Sequence, residues 1–136
     1  QFPVMENCEN FNFNDPVSLE NKIIEADKKG GVYCVIIEPY SASLLEACSE
    51  SFIKKLFELK KKYKFKIIFD EVFTGFFKSK EMFYFQNFKN ISPDIICLSK
   101  TLGGGKSSIS CLVIDDNTYD EAYAFQNGAA TTKPIL

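Results

Sequence analysis

The chain has 136 residues, 46% of them hydrophobic and 25% charged, with 16 lysines against 18 acidic residues and a net charge of -2. That is the size of one ordinary domain able to bury a core, which excludes a disordered chain; no apolar run reaches the roughly 18 residues of a membrane helix, and no basic-then-apolar leader opens the sequence. A soluble, cytoplasmic protein is expected, and the absence of Arg and His removes Ser-His and Cys-His nucleophile pairs, imidazole metal sites and guanidinium clamps within this chain.

Residues 1–14 mix Phe2, Phe11 and Phe13 with Asn and Glu at no sustained period, which predicts an irregular lead-in. Asp15-Pro16 reads as an N-cap followed by Pro at the first helical position, and Leu19, Ile23 and Ala26 supply an apolar face that ends before Gly30-Gly31. The continuous apolar run 32–37 fits a strand of a parallel sheet, buried on both faces. After a loop over 40–48, Phe52, Leu56, Leu59 and Tyr63 recur at helical spacing with lysines outside the stripe, the pattern of an amphipathic crossover helix. Residues 66–70 form the next strand, so 32–70 is a strand-helix-strand unit with the usual right-handed crossover. Residues 94–98 and 110–114 give two more strands, joined through Gly103-Gly104-Gly105 by a connection too short for a parallel return, so this last pair is expected to be antiparallel. Asn117 or Thr118 then caps a short helix through Ala124. The fold class is therefore α/β, a mostly parallel sheet with crossover helices and one antiparallel strand.

Five cysteines without a CxxC spacing, three of them inside strand-like runs, are read as buried reduced thiols. The lysines between Lys54 and Lys66 alternate with Glu58 on a polar helix face, which fits a solvated surface better than a nucleic-acid patch. The phenylalanines after Gly75 fit either core packing or a subunit contact. Gly105-Lys106-Ser107 imitates the end of a phosphate-binding P-loop, but the first glycine of that motif falls on Lys100, and the residues that follow read as strand where the motif needs a helix.

In open α/β sheets functional groups gather beyond the C-terminal ends of the parallel strands. Here those ends carry Glu38, Asp70 with Glu71, and Lys100. On spacing alone, Asp70 and Lys100 could be nothing more than a structural ion pair.

The words around them are more specific. Ile37-Glu38-Pro39, then Asp70-Glu-Val-Phe-Thr-Gly75-Phe, then Ser92-Pro-Asp-Ile-Ile-Cys-Leu-Ser-Lys100-Thr-Leu-Gly-Gly-Gly105 together resemble the class III family of pyridoxal-phosphate-dependent aminotransferases, of fold type I. The resemblance runs from about Val32 to Tyr123 and implies the central part of a pyridoxal-phosphate-dependent transferase-like large domain, occupying all of residues 1–136. It implies that Lys100 forms the Schiff base with pyridoxal 5'-phosphate and moves protons at the substrate's alpha carbon, a role only a lysine amine can fill. Asp70 is implied as the carboxylate that keeps the cofactor ring nitrogen protonated, and Val72 as the apolar residue against the ring. Thr131 or Thr132, in Asn127-Gly-Ala-Ala-Thr-Thr132, matches the segment that reaches the phosphate of a neighbouring subunit's cofactor, so a homodimer with a shared active site is implied.

Phe73 replaces a polar residue found in some members, Lys78 stands where Arg is usual, and Tyr40-Ser-Ala-Ser43 lacks the Gln-Gly-Glu word of omega-aminotransferases. The phosphate-binding turn and the small C-terminal domain have no match here, so the chain reads as a piece of something longer, and activity is expected only of the intact protein. The implied reaction moves an amino group from an amine or amino acid donor to a keto acid or aldehyde. The alternatives are another reaction on the same cofactor (decarboxylase, racemase, aminomutase) or a non-catalytic binding or assembly module.

Overall fold

The computed structural model describes residues 7–125. Helix α1 (Pro16–Asp27) starts where Asp15 Oδ1 accepts the Val17 and Ser18 amides at 3.0 Å each, with Pro16 needing no partner for an N–H it lacks. Strand β1 (Cys34–Ile37) follows, and then a small hairpin, β2 (Tyr40–Ser41) against β3 (Glu46–Ala47), in the stretch expected to be a plain loop. Helix α2 (Glu50–Tyr63) is capped by Ser49, whose Oγ accepts the Phe52 amide at 3.2 Å, and it stops at Lys64 in the left-handed region. Strands β4 (Lys66–Asp70), β5 (Ile95–Leu98) and β6 (Cys111–Ile114) complete a four-stranded sheet in the order β1-β4-β5-β6. β1, β4 and β5 are parallel and β6 is antiparallel to β5, as the connection lengths required.

Helix α3 (Asp116–Phe125) begins one residue after Asp115, whose carboxylate accepts the Thr118 amide at 3.1 Å and hydroxyl at 2.6 Å. The cap is thus Asp115 rather than Asn117 or Thr118: an aspartate can satisfy an orphan amide of the first turn as well as either of them.

Both long helices pack on the same face of the sheet. Leu19 and Ile23 of α1 and Phe52, Ile53, Leu56 and Leu59 of α2 form one buried cluster with Val35, Ile37, Ile67 and Phe69 of the strands. The opposite face is open: Ile36 is 59% exposed and Leu112 60%. Burial of β1 on both faces is therefore not realised among the described residues, because α1 and α2 both cover the same side. The expectation of buried thiols is corrected for the same reason. All five cysteines are reduced, but only Cys48 is buried, whereas Cys8, Cys34 and Cys111 are exposed and Cys97 is half-buried. Cys48 donates to the Glu38 carbonyl at 3.6 Å, and burial pushes its thiol up to about 12.

The lysine-rich face of α2 is solvated at Lys54, Lys61 and Lys62, while Lys55 pairs with Glu20 and Lys60 with Asp94. Of the phenylalanines after Gly75, Phe85 and Phe88 pack against the core and Phe77 is 68% exposed. No helix among the described residues is long and apolar enough to cross a membrane.

Candidate active site

β4 and β5 end side by side, with Asp70 opposite Cys97 in the register. Alternation along β4 buries Ile67 and Phe69 under the helices and turns Ile68 and Asp70 to the open face. Asp70 Oδ1 accepts the Val72 amide at 3.0 Å, and no cation among the described residues is paired with the carboxylate. Burial, followed by the Asp70 charge, raises the Cys97 thiol above its ordinary value, which reports the carboxylate as its neighbour.

Past β5 the chain enters a 3-10 turn, Lys100–Gly103. Lys100 takes φ +44°, a left-handed conformation that costs a non-glycine residue about 1–3 kcal/mol. Ser99 holds the entry to this turn: its Oγ donates to the Ile109 carbonyl at 2.9 Å and accepts from Ser110 Oγ at 2.9 Å. Gly104 and Gly105 follow at φ +57° and +73°. A Cβ on either would meet nothing within 4 Å, so backbone conformation rather than space calls for glycine there.

The Lys100 amine lies 5.6 Å from the centroid of the Phe73 ring and has no carboxylate partner among the described residues. Asp70 and Lys100 are thus delivered to adjacent strand ends without forming an ion pair, which removes the structural reading left open by spacing. Phe73 is the hub of the site. Lys78 Nζ sits 5.0 Å from the same ring, Tyr40 stacks on it at 6.4 Å, and the Tyr84 ring lies 5.4 Å from Tyr40. Burial, with smaller contributions from Tyr40, Cys48 and Glu71, raises the Tyr84 phenol above its ordinary value.

Val72 is half-buried two residues after Asp70. Glu38 contacts neither Asp70 nor Lys100 among the described residues; its Oε2 accepts the Ala42 amide at 2.6 Å and shapes the hairpin entry. Thr131 and Thr132 lie outside the described residues. Sequence reasoning missed Glu71, which is 1% exposed and turned inward, and it missed Tyr84. The signal for Glu71 was present: of two successive residues leaving a strand, one tends to face away from the other, so Asp70-Glu71 sends one carboxylate outward and one inside. A carboxylate without a cation, a primary amine without a carboxylate, and Val72 and Phe73 in the turn after Asp70 suit a cofactor that carries an aldehyde and a protonatable ring nitrogen.

Residues 4–132 match the family model described as aminotransferase class-III. The chain is 32% identical over 137 aligned positions to glutamate-1-semialdehyde 2,1-aminomutase of Thermodesulfovibrio yellowstonii, covering 90% of this chain and 29% of that protein. It is 33% identical over 98 positions to adenosylmethionine-8-amino-7-oxononanoate aminotransferase of Buchnera aphidicola subsp. Schizaphis graminum, covering 71% of this chain and 22% of the relative. Among solved structures, ornithine delta-aminotransferase of Plasmodium falciparum superposes with a TM-score of 0.77 at 26% identity, over 94% of this chain and 32% of its own. The chain spans less than a third of the length of each.

Proposed function

The chain belongs to the class III aminotransferase family, whose cofactor is pyridoxal phosphate, and from that premise we propose that the intact protein transfers an amino group from an amine or amino acid donor to a keto acid or aldehyde acceptor. The observation that carries the reading is the delivery of Asp70 and Lys100 to neighbouring strand ends, each without an ion-pair partner among the described residues. A half-buried carboxylate and an exposed amine that no ion pair engages are available to a ligand.

Pyridoxal phosphate, when bound, supplies an electron sink for charge that develops at the substrate's alpha carbon. Lys100 would hold the cofactor through its amine, and the same amine is the group that would move a proton at the substrate's alpha carbon. Asp70, with one oxygen not engaged by the Val72 N–H, would accept from a protonated ring nitrogen, and Val72 would give that ring an apolar neighbour. Phe73 presents its π face to the Lys100 nitrogen and favours positive charge there. Thr131 or Thr132 contributes to the phosphate site of a partner subunit in a homodimer, and the protein works in the cytoplasm.

The aminomutase relative supports a second reading, in which the same residues move an amino group within one substrate. Borohydride reduction of the full-length protein with pyridoxal phosphate, followed by peptide mapping, tests both. An adduct on Lys100 is expected, and formation of a keto acid from a donor then separates amino transfer from internal rearrangement. A folded full-length protein that yields no adduct on Lys100 defeats the proposal and leaves a binding or assembly module.

A further inference from the structure

Glu71 is a carboxylate at 1% exposure with no cation against it among the described residues. Three donors satisfy it. Its Oε2 accepts from the Thr74 hydroxyl at 2.6 Å and from the Tyr84 amide at 2.8 Å, and its Oε1 accepts from the Phe85 amide at 2.8 Å. Its backbone is fixed as well: Glu71 N donates to the Cys97 carbonyl at 3.0 Å, and Gly75 N donates to the Glu71 carbonyl at 2.8 Å. One side chain therefore joins the tight turn 71–75, which carries Val72 and Phe73, to the 3-10 turn Tyr84–Asn87, thirteen residues further along.

Both tethered segments contribute rings to the wall around the Lys100 amine. Phe73 precedes Thr74, one of the donors to Glu71, and faces Lys100. Tyr84 gives its amide to Glu71 and sets its ring against Tyr40, which stacks on Phe73. We infer that Glu71 is a positioning residue: its buried carboxylate locks the Phe73, Tyr40 and Tyr84 rings in place and so fixes the π face that Phe73 turns to the Lys100 nitrogen. Folding alone calls for an acceptor here, whereas an anion in a site without a cation is selected for strong, short bonds to three donors at once. The inference rests on the reading that Lys100 carries the cofactor, and it adds a residue that touches neither.

The test uses the full-length protein carrying Glu71→Gln, which keeps the volume but puts an NH2 group in place of one acceptor oxygen. Hydrogen exchange at the Tyr84 and Phe85 amides should quicken about tenfold or more, the equivalent of losing one good hydrogen bond, while Ile68 and Ile96 in the strands keep their protection. With pyridoxal phosphate added, the rate at which borohydride-fixable adduct forms on Lys100 should fall about two- to fivefold as the Phe73 face is lost. Phe73→Leu provides the arm that does not depend on Glu71→Gln folding: it should slow the same reaction with normal exchange at Tyr84 and Phe85. Faster exchange with an unchanged adduct rate, or an unchanged adduct rate in Phe73→Leu, overturns the inference and reduces Glu71 to a loop anchor. A wild-type protein with no adduct on Lys100 defeats the cofactor reading instead, and the exchange at Tyr84 and Phe85 still decides whether Glu71 ties the two turns.

Discussion

Asp94 is the residue on which the architecture below the site depends most, and its replacement by Ala gives a magnitude that can be worked from the contacts. One oxygen, Oδ2, accepts from Lys60 Nζ at 2.6 Å and from the Ile67 amide at 2.7 Å, while the Asp94 backbone donates to the Ile67 carbonyl and accepts from Asp115 N. The carboxylate thus pins helix α2 and strand β4 to the start of β5. Ala leaves the Ile67 amide without its side-chain acceptor beneath a residue at 0% exposure, which costs about 1–3 kcal/mol. It also strands the Lys60 ammonium. That side chain is 25% exposed and can turn to water, so its loss stays well below the 3–5 kcal/mol of a fully buried broken pair and adds about 1 kcal/mol. Asp94→Ala should therefore destabilise by about 2–4 kcal/mol, and Lys60→Met, which leaves Asp94 its bond to Ile67, by about 1 kcal/mol or less. Urea unfolding of the full-length protein followed by circular dichroism measures both. Equal losses from the two variants, or less than about 0.5 kcal/mol from Asp94→Ala, would refute the argument that the amide rather than the ion pair carries the cost.

Lys100→Ala should abolish turnover while the protein still takes up pyridoxal phosphate reversibly, seen as cofactor absorbance that borohydride no longer fixes to the chain; full turnover by this variant would sink the site assignment. Gly75→Ala should cost about 1–3 kcal/mol, because the new Cβ would lie 2.9 Å from both the Glu71 carbonyl oxygen and Leu98 Cδ2; a thermal scan showing an unchanged midpoint would mean that the turn can back away from β5. Cys48, held at about 12 by burial against an ordinary 9.0, should resist alkylation at pH 8 until the protein unfolds. The native state keeps its proton where the unfolded state releases it, so this thiol contributes stability that is complete below pH 9 and is lost as pH rises towards 12. Rapid native-state labelling of Cys48, or stability flat across that range in a comparison with Cys48→Ala, would contradict it.

Strand positions, strand direction and the two long helices were legible because each rests on local physics: a capping Asp15 before Pro16, a stripe at helical spacing from Phe52 to Leu59, and a connection between β5 and β6 too short for a crossover. The pair Asp70 and Lys100 was legible because strand ends can be read from where apolar runs stop. Glu71, Tyr84 and the hub at Phe73 were not, since they meet through tertiary contacts across the irregular stretch between β4 and β5, where no period constrains which ring faces which. The β2–β3 hairpin was missed for a related reason: two strands of two residues each are too short to show alternation.

The failed expectation about β1 and the candidate site concern the same surface. Cys34, Ile36, Ile68, Asp70 and Ile95 fall on one side of the sheet by alternation and register, and it is the side that neither α1 nor α2 covers. An apolar face flanking a half-buried carboxylate is poor design for a surface that stays in water, yet it is what a flat aromatic cofactor needs beneath it: apolar support for the ring and one acceptor at its nitrogen. The continuous apolar runs that read as strands buried on both faces are in that sense correct for the sheet, and at odds only with the cover that α1 and α2 provide. Asp70 lies on that open face at the end of β4 and Lys100 follows the end of β5, so both candidate groups border the uncovered apolar surface that carries Ile36 and Ile68.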